Sequence, residues 1–252
     1  MKVTFLGTGT SMGVPVAGGF KRKDLAHDPR NERTRCSVWI KTNETSLLID
    51  VGPEFRIQSI RSEIEMVDYV LLTHEHMDHV AGLDDLRMYS YLKKGPLPLY
   101  STSSALESIK KRFDYLFGPD KYPGSASIDL RIADEPFLLN DLSITPLPVM
   151  HGDLEILGFR VNDFSYLTDV KEIPSSTKEL IKGSKAIVIS ALRWEPSHPT
   201  HLTIPEAVDI INDLGVPEAY LIHMNSYVDH EPTNKRLPKH IRLAYDLLTI
   251  EM

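Results

Sequence analysis

The chain has 252 residues with 42% hydrophobic and 25% charged side chains, ample for a buried core and unlike a disordered or collagen-like composition. Its formal net charge of −7 argues against a broad nucleic-acid-binding face, and no apolar run approaches the ~20 residues that a membrane-spanning helix needs. The opening MKVTFLGTGTSMG carries one lysine and then turn residues, unlike a secretory signal; with a single cysteine, Cys36, and hence no internal disulfide, the expectation is a cytoplasmic protein.

Taken in chain order, the first predicted strand is VTFLG at 3–7. The glycine-rich loop 7-GTGTSMG-13 follows. It lacks the Lys-Ser/Thr ending of a nucleotide-binding P-loop, so its glycines are read as permitting a tight turn. In 21-KRKDLAHDPRNERTR-35, six of fifteen residues are Lys or Arg; a solvated loop explains this as well as an anion contact does. Strands are predicted next at 36–42 and 46–50, joined by the hairpin-like TNET, then at 69–73. Helices are expected at 53–64, 81–93 and 103–113. Further strands fall at 142–149, 157–161, 165–169, 186–190 and 219–223, interleaved with helices at 176–182 and 203–215 and a last helix at 238–248. The 203–215 helix has the clearest ends: Thr203 and Glu206 have capping-box spacing, Pro205 suits the first turn and Gly215 can close it. Its Ala207, Ile210, Ile211 and Leu214 recur at i, i+3, i+4, i+7, one buried face. Strands and helices alternate throughout, so 1–252 is read as a single α/β domain.

The chemistry concentrates in 68-DYVLLTHEHMDHVAGLDDL-86. Where an apolar strand ends, His74, His76, Asp78 and His79 crowd into six residues. With the strand running to Thr73, His74 and His76 can project to one side of the turn, and Asp78 and His79 sit at the entrance of the next helix. Neutral imidazoles and carboxylates are ligands for divalent ions such as Zn²⁺, Mn²⁺ or Fe²⁺. One loop cannot complete such a site. His151, Asp169 and His223 each follow a separate β-type run, and this supply suits two metals about 3.5–4 Å apart that share a carboxylate. Asp50, which ends SLLID, is a candidate to orient a ligand imidazole, or a turn-forming residue.

The string 74-HEHMDH-79 matches the His-x-His-x-Asp-His motif of the metallo-β-lactamase superfamily, and His151, Asp169 and His223 follow in that family's order. The chain most resembles the phosphodiesterase branch that includes the phosphoribosyl cyclic-phosphate hydrolase. The resemblance implies a four-layer αββα sandwich with the metals at one edge. It implies that His74, His76 and His151 hold one ion, that Asp78, His79 and His223 hold the other, and that Asp169 bridges. His201 in 197-SHPTHL-202 resembles the branch's additional catalytic histidine, suited to protonate a departing alkoxide or to bind a phosphoryl oxygen as imidazolium. His198 has less support from its context, and His27, His230 and His240 read as surface or structural residues.

Relatives in this branch often carry Cys-x-Cys-x-x-Cys and a later histidine that hold a structural zinc. Here the corresponding residues are Gly19, Lys21, Asp24 and Ser226, so no structural zinc is expected. The implied activity is hydrolysis of a small (cyclic) phosphate ester by two divalent ions, Mn²⁺ or Zn²⁺. Those ions acidify a shared water for in-line attack, with Asp78 and His201 catalytic. Arg33 and Arg35 are candidates for a second anionic group of the substrate. So is Arg87, although an ion pair with Asp84 explains it equally. A ribonuclease Z-like tRNA endonuclease and a glyoxalase II-like thioesterase share the motif and stand as alternatives. So, from another class, does a non-catalytic metal-containing binding protein, which a missing ligand would have favoured. A homodimer is compatible with the sequence.

Overall fold

The computed structural model describes residues 1–18, 28–118 and 121–252. Its first half comprises β1 (Lys2–Gly7), β2 (Ser37–Lys41), β3 (Ser46–Ile49), α1 (Phe55–Arg61), β4 (Tyr69–Leu71), α2 (Met77–Val80), α3 (Arg87–Lys93), β5 (Leu97–Ser101), α4 (Ser103–Arg112), α5 (Asp114–Phe117) and β6 (Ile128–Ile132). Its second half comprises β7 (Phe137–Leu139), β8 (Leu142–His151), β9 (Leu154–Val161), β10 (Phe164–Leu167), α6 (Ser175–Ile181), β11 (Ala186–Ser190), α7 (Ile204–Leu214), β12 (Glu218–Ile222), α8 (His230–Asn234), β13 (Ile241–Leu243) and β14 (Thr249–Glu251). Among the described residues these strands make two seven-stranded sheets, ordered β14-β1-β2-β3-β4-β5-β6 and β13-β12-β11-β10-β9-β8-β7.

Each sheet is antiparallel on one side and parallel on the other. In the first, β3 to β6 run parallel; in the second, β10 to β13 do. The period-two alternation of the strands sorts their side chains between layers. Leu47 and Ile49 face the inter-sheet core with Phe5, Phe159 and Val188. Leu48 between them faces outward and packs with Phe55, Leu86 and Ile109 of the covering helices. On the other sheet Ile187 and Ile189 turn outward onto Ala207, Ile211 and Leu214 of α7. Helix, sheet, sheet and helix are thus stacked, the αββα sandwich that the resemblance implied.

α7 has the predicted ends: Glu206 N–H donates to Thr203 Oγ1, Thr203 N–H donates to Glu206 Oε2, and Gly215 closes the helix at φ 65°. The 81–93 segment is not one helix. Leu83–Leu86 form a 3-10 turn before α3, because Gly82 is pressed against the chain after β3, where an added Cβ would lie 2.3 Å from Gly52 O.

The 238–248 helix is wrong. Ile241 and Leu243 alternate buried with exposed Arg242 and pair in parallel with Ala219 and Leu221 of β12. The chain then returns to set β14 beside β1, Val3 opposite Ile250. Strands β5, β6 and β7 were also unread: β5 contains Pro98, which demotes a strand reading, and β6 and β7 are polar or short edge strands of the kind that resist further pairing. Among the described residues no helix is long and apolar enough to cross a membrane.

Candidate metal centre

Parallel strands release their chains at one edge, and ligands of open α/β sheets gather beyond such carboxyl ends. Here Asp50 follows β3, His74 follows β4, Asp169 follows β10 and His223 follows β12. Three of these residues adopt left-handed backbone: Asp50 at φ 62°, Asp169 at φ 53° and His223 at φ 61°. Non-glycine residues in that region cost about 1–2 kcal/mol each, and such outliers cluster at functional sites. The turn sharply redirects each side chain across the sheet edge. His151 ends the long β8, and Asp78 and His79 lie within α2 rather than at the entrance of a helix that begins at 81.

The side chains converge into two overlapping groups. Ligand atoms of His74, His76 and His151 lie within 4.8 Å of one another, as do those of Asp78, His79, Asp169 and His223. A third set, His151, Asp169 and His201, meets the same criterion and places Asp169 between the two. His79 Nε2 is 3.2 Å from Asp78 Oδ2 and 3.4 Å from Asp169 Oδ1, and His223 Nε2 is 3.2 Å from Asp169 Oδ1.

The outer atoms of these rings are held by the protein. Asp50, fully buried, accepts from His79 Nδ1 at 2.7 Å and from Thr73 N and Oγ1 at 2.8 and 2.9–3.0 Å. Of its two readings, ring orientation is the geometry observed. His151 Nδ1 donates to Thr200 O at 2.9 Å, and Thr73 Oγ1 lies 3.0 Å from His74 Nδ1. Arg112 from α4 donates to Glu75 O at 2.6 Å, tethering the loop between His74 and His76.

The electrostatics suit a cation. Burial pushes His74 well below the ordinary histidine range, leaving a neutral imidazole. Burial alone would lower His79 too, but Asp169 and Asp50 outweigh it and hold it well above; surroundings that hold a proton so firmly are ones a divalent ion can exploit in its place. Against the cost of burial, His223 and His79 keep Asp169 well below the carboxylate range. Buried His79 Nε2 and both ring nitrogens of His223 have no hydrogen-bond partner. Unsatisfied buried imidazole nitrogens directed at paired carboxylates fit a divalent metal.

The other predicted residues are placed less uniformly. His201 stands beside the ligands, its ring centroid 4.7 Å from those of both His151 and His223. Burial and His223 push it down to about 3, so without an added anion it is neutral rather than an imidazolium. Arg35 is already engaged: its Nε donates to Ser11 O at 2.9 Å and its Nη1 pairs with Glu54. Arg87 does not join the cluster. It pairs with Asp84 at 3.5 Å and lines a groove with Tyr91, Pro123 and Ser127.

Of the basic 21–35 segment, positions 21–27, with Lys21, Asp24 and His27, lie outside the described residues, as does Gly19. The described part is not a free cationic loop. Arg30 pairs with Asp28 and Glu231, and Arg33 is buried, donating to Asn31 Oδ1 and Val228 O. The 7–13 loop does lie at the metal edge: Gly9 bridges both Arg35 and Met224, the residue after His223. Thr200 and Thr73 were missed, since a backbone carbonyl or a lone hydroxyl leaves no sequence signature.

The fold is shared with known proteins. A family model for the beta-lactamase superfamily domain matches residues 45–224. The crystal structure of a diphosphatase from the PhnP family superposes with a TM-score of 0.92 at 35% identity, covering 100% of this chain and 97% of that one. An octanoyltransferase of Porphyromonas gingivalis is 40% identical over 250 residues, 98% of this chain but 50% of its own length. A ribonuclease Z of Bradyrhizobium diazoefficiens is 24% identical over 161 residues, 62% of this chain and 48% of its own length. The chain thus spans about half the length of these two curated relatives.

Proposed function

The chain belongs to the beta-lactamase superfamily of metallo-hydrolases, and on that premise we propose that it is a dinuclear phosphodiesterase acting on a small phosphate ester or anhydride. The observation that carries the reading is the pair of ligand groups meeting at Asp169, with His201 against both. His74, His76 and His151 would hold one ion, Asp78, His79 and His223 the other, and Asp169 would bridge. Two Mn²⁺ or Zn²⁺ ions bound there would acidify a water and neutralise charge on the phosphoryl oxygens.

The protein's own groups have distinct parts in this reading. Asp78, held well below the carboxylate range chiefly by His79 against the cost of burial, stays ionised and can accept a hydrogen bond from the attacking water. Asp50 and Thr200 keep the lone pairs of His79 and His151 aimed inward. His201 is neutral until an anion arrives. A bound phosphate adds negative charge to that of Asp169 beside it, raises its proton affinity and leaves it placed to protonate the departing oxygen.

The diphosphatase and ribonuclease Z relatives both cleave P–O bonds, which supports a phosphoryl substrate. The net charge of −7 and the engaged arginines at 30, 33 and 35 favour a small one over tRNA. The acyl transfer named in the Porphyromonas gingivalis relative is that of a protein twice this length. Protein stripped of metal and reloaded with Mn²⁺ or Zn²⁺ should hydrolyse bis-p-nitrophenyl phosphate. Full loading without turnover overturns the proposal. Precursor-tRNA cleavage that weakens steeply with salt would favour the nuclease instead, and S-lactoylglutathione turnover the thioesterase.

A further inference from the structure

His198 belongs to none of the ligand groups, yet its ring too is held by the protein. Its Nδ1 lies 3.3 Å from Thr200 N and 3.2 Å from Thr200 Oγ1. A backbone N–H can only donate, so Nδ1 is the acceptor and the ring proton sits on Nε2. The same Thr200 accepts from His151 Nδ1 through its carbonyl. One residue therefore sets the tautomer of a ligand histidine and of a histidine outside the ligand set.

The loop that carries them is braced. Leu192 N–H donates to Leu202 O and Ile204 N–H to Arg193 O, each at 2.8 Å, closing the loop at its base. Arg193 Nε donates to Pro196 O at 2.9 Å, and Lys171, paired with Glu206 at 2.9 Å, reaches Ser197 Oγ at 3.4 Å. Gly152, at φ 62°, lets the turn after His151 come against Thr200: an added Cβ would lie 2.9 Å from Thr200 Cγ2. His198 is half-buried, and its ring centroid is 4.9 Å from that of His201. It stands one ring farther from the ligand groups than His201 does, and among the described residues its Nε2 has no hydrogen-bond partner, Nδ1 alone being engaged.

We propose that His198 is a substrate-binding residue whose Nε2–H donates to an oxygen of the substrate beyond the phosphoryl group, on the His201 side. The ligand chemistry is that of a hydroxyl or ether oxygen a few bonds from phosphorus, as on a sugar, and not of an aryl ring. This rests on the phosphodiesterase reading.

The test uses metal-loaded enzyme, bis-p-nitrophenyl phosphate as the substrate without such an oxygen, and 2′,3′-cyclic AMP as a competitive inhibitor that has one. For His198→Ala, the inhibition constant of the cyclic nucleotide should rise about 3- to 10-fold, the worth of one hydrogen bond. KM for the aryl ester and the metal content should stay within twofold. His198→Gln, which restores an N–H near the position of Nε2, should recover most of the loss. An unchanged inhibition constant in His198→Ala, or no inhibition of the wild type, overturns the assignment. So does metal loss in His198→Ala, which would make it a support for His151. Absence of aryl-ester turnover by the wild type is a different result: it removes the phosphodiesterase reading itself, and this assignment with it.

Discussion

Asp50→Asn keeps the shape of a buried side chain and reverses the polarity of one contact. Asparagine tolerates the left-handed backbone at φ 62°, and its carbonyl oxygen can still accept from Thr73 N and Oγ1. The amide nitrogen then faces His79 Nδ1 across 2.7 Å, donor against donor. The imidazole escapes by moving its proton to Nε2, the atom 3.2 Å from Asp78 Oδ2 and 3.4 Å from Asp169 Oδ1. That removes the lone pair that would bind metal. Loss of such an orienting partner typically lowers metal affinity about 10- to 100-fold, or about 1.4–2.8 kcal/mol. Titration against a chromophoric chelator should show one of two ions weakened by that factor and the other unchanged, since His74, His76 and His151 do not touch Asp50. Asp50→Ala should also lose fold stability, by roughly 3–5 kcal/mol, because buried Thr73 donors are stranded at about 1–3 kcal/mol each and alanine is strained at this φ. An Asp50→Asn protein that binds both ions within a factor of two of wild type would refute this reasoning.

His201→Ala should reduce turnover of bis-p-nitrophenyl phosphate by about 10²- to 10⁴-fold with two ions retained by elemental analysis; loss of an ion would place His201 among the ligands. Asp246 gives a pH signature from outside the ligand groups. Burial pushes its carboxyl up to about 6 despite donation from Thr34 and Thr8. A folded-state value above the unfolded one means that ionisation opposes folding, so the penalty is full above about pH 6 and relieved as pH falls toward 4. Relative to Asp246→Asn, wild type should therefore gain about 1–3 kcal/mol in urea unfolding between pH 7 and pH 4; a difference that stays flat with pH would contradict it. Thr203→Ala breaks the capping box of α7 and should cost about 1 kcal/mol in the same assay, with metal binding intact.

The parts of the site that could be read from the residues are those whose chemistry sits in side chains. His74, His76, Asp78 and His79 announce themselves by crowding, and His151, Asp169 and His223 by each following an apolar run. What holds them is largely backbone: Thr200 orients His151 through its carbonyl, and nothing in a threonine's identity reports that. Arg35 reads as a free cation until folding brings Glu54, 19 residues away, against it. For the fold, strands that form apolar runs buried on both faces, such as β3 and β11, were legible. The 238–248 segment was not, because Ile241 and Leu243 gain their burial only by pairing with β12, residues distant in the chain. Edge strands β6 and β7 lack a two-sided apolar environment and so lack its pattern.

Whether these side chains bind two divalent ions around Asp169 can be seen by anomalous diffraction from crystals of Mn²⁺- or Zn²⁺-loaded protein. Two peaks are expected about 3.5–4 Å apart, one against His74, His76 and His151, the other against Asp78, His79 and His223, with the Asp169 carboxylate between them. A single peak, or peaks away from Asp169, would contradict that expectation.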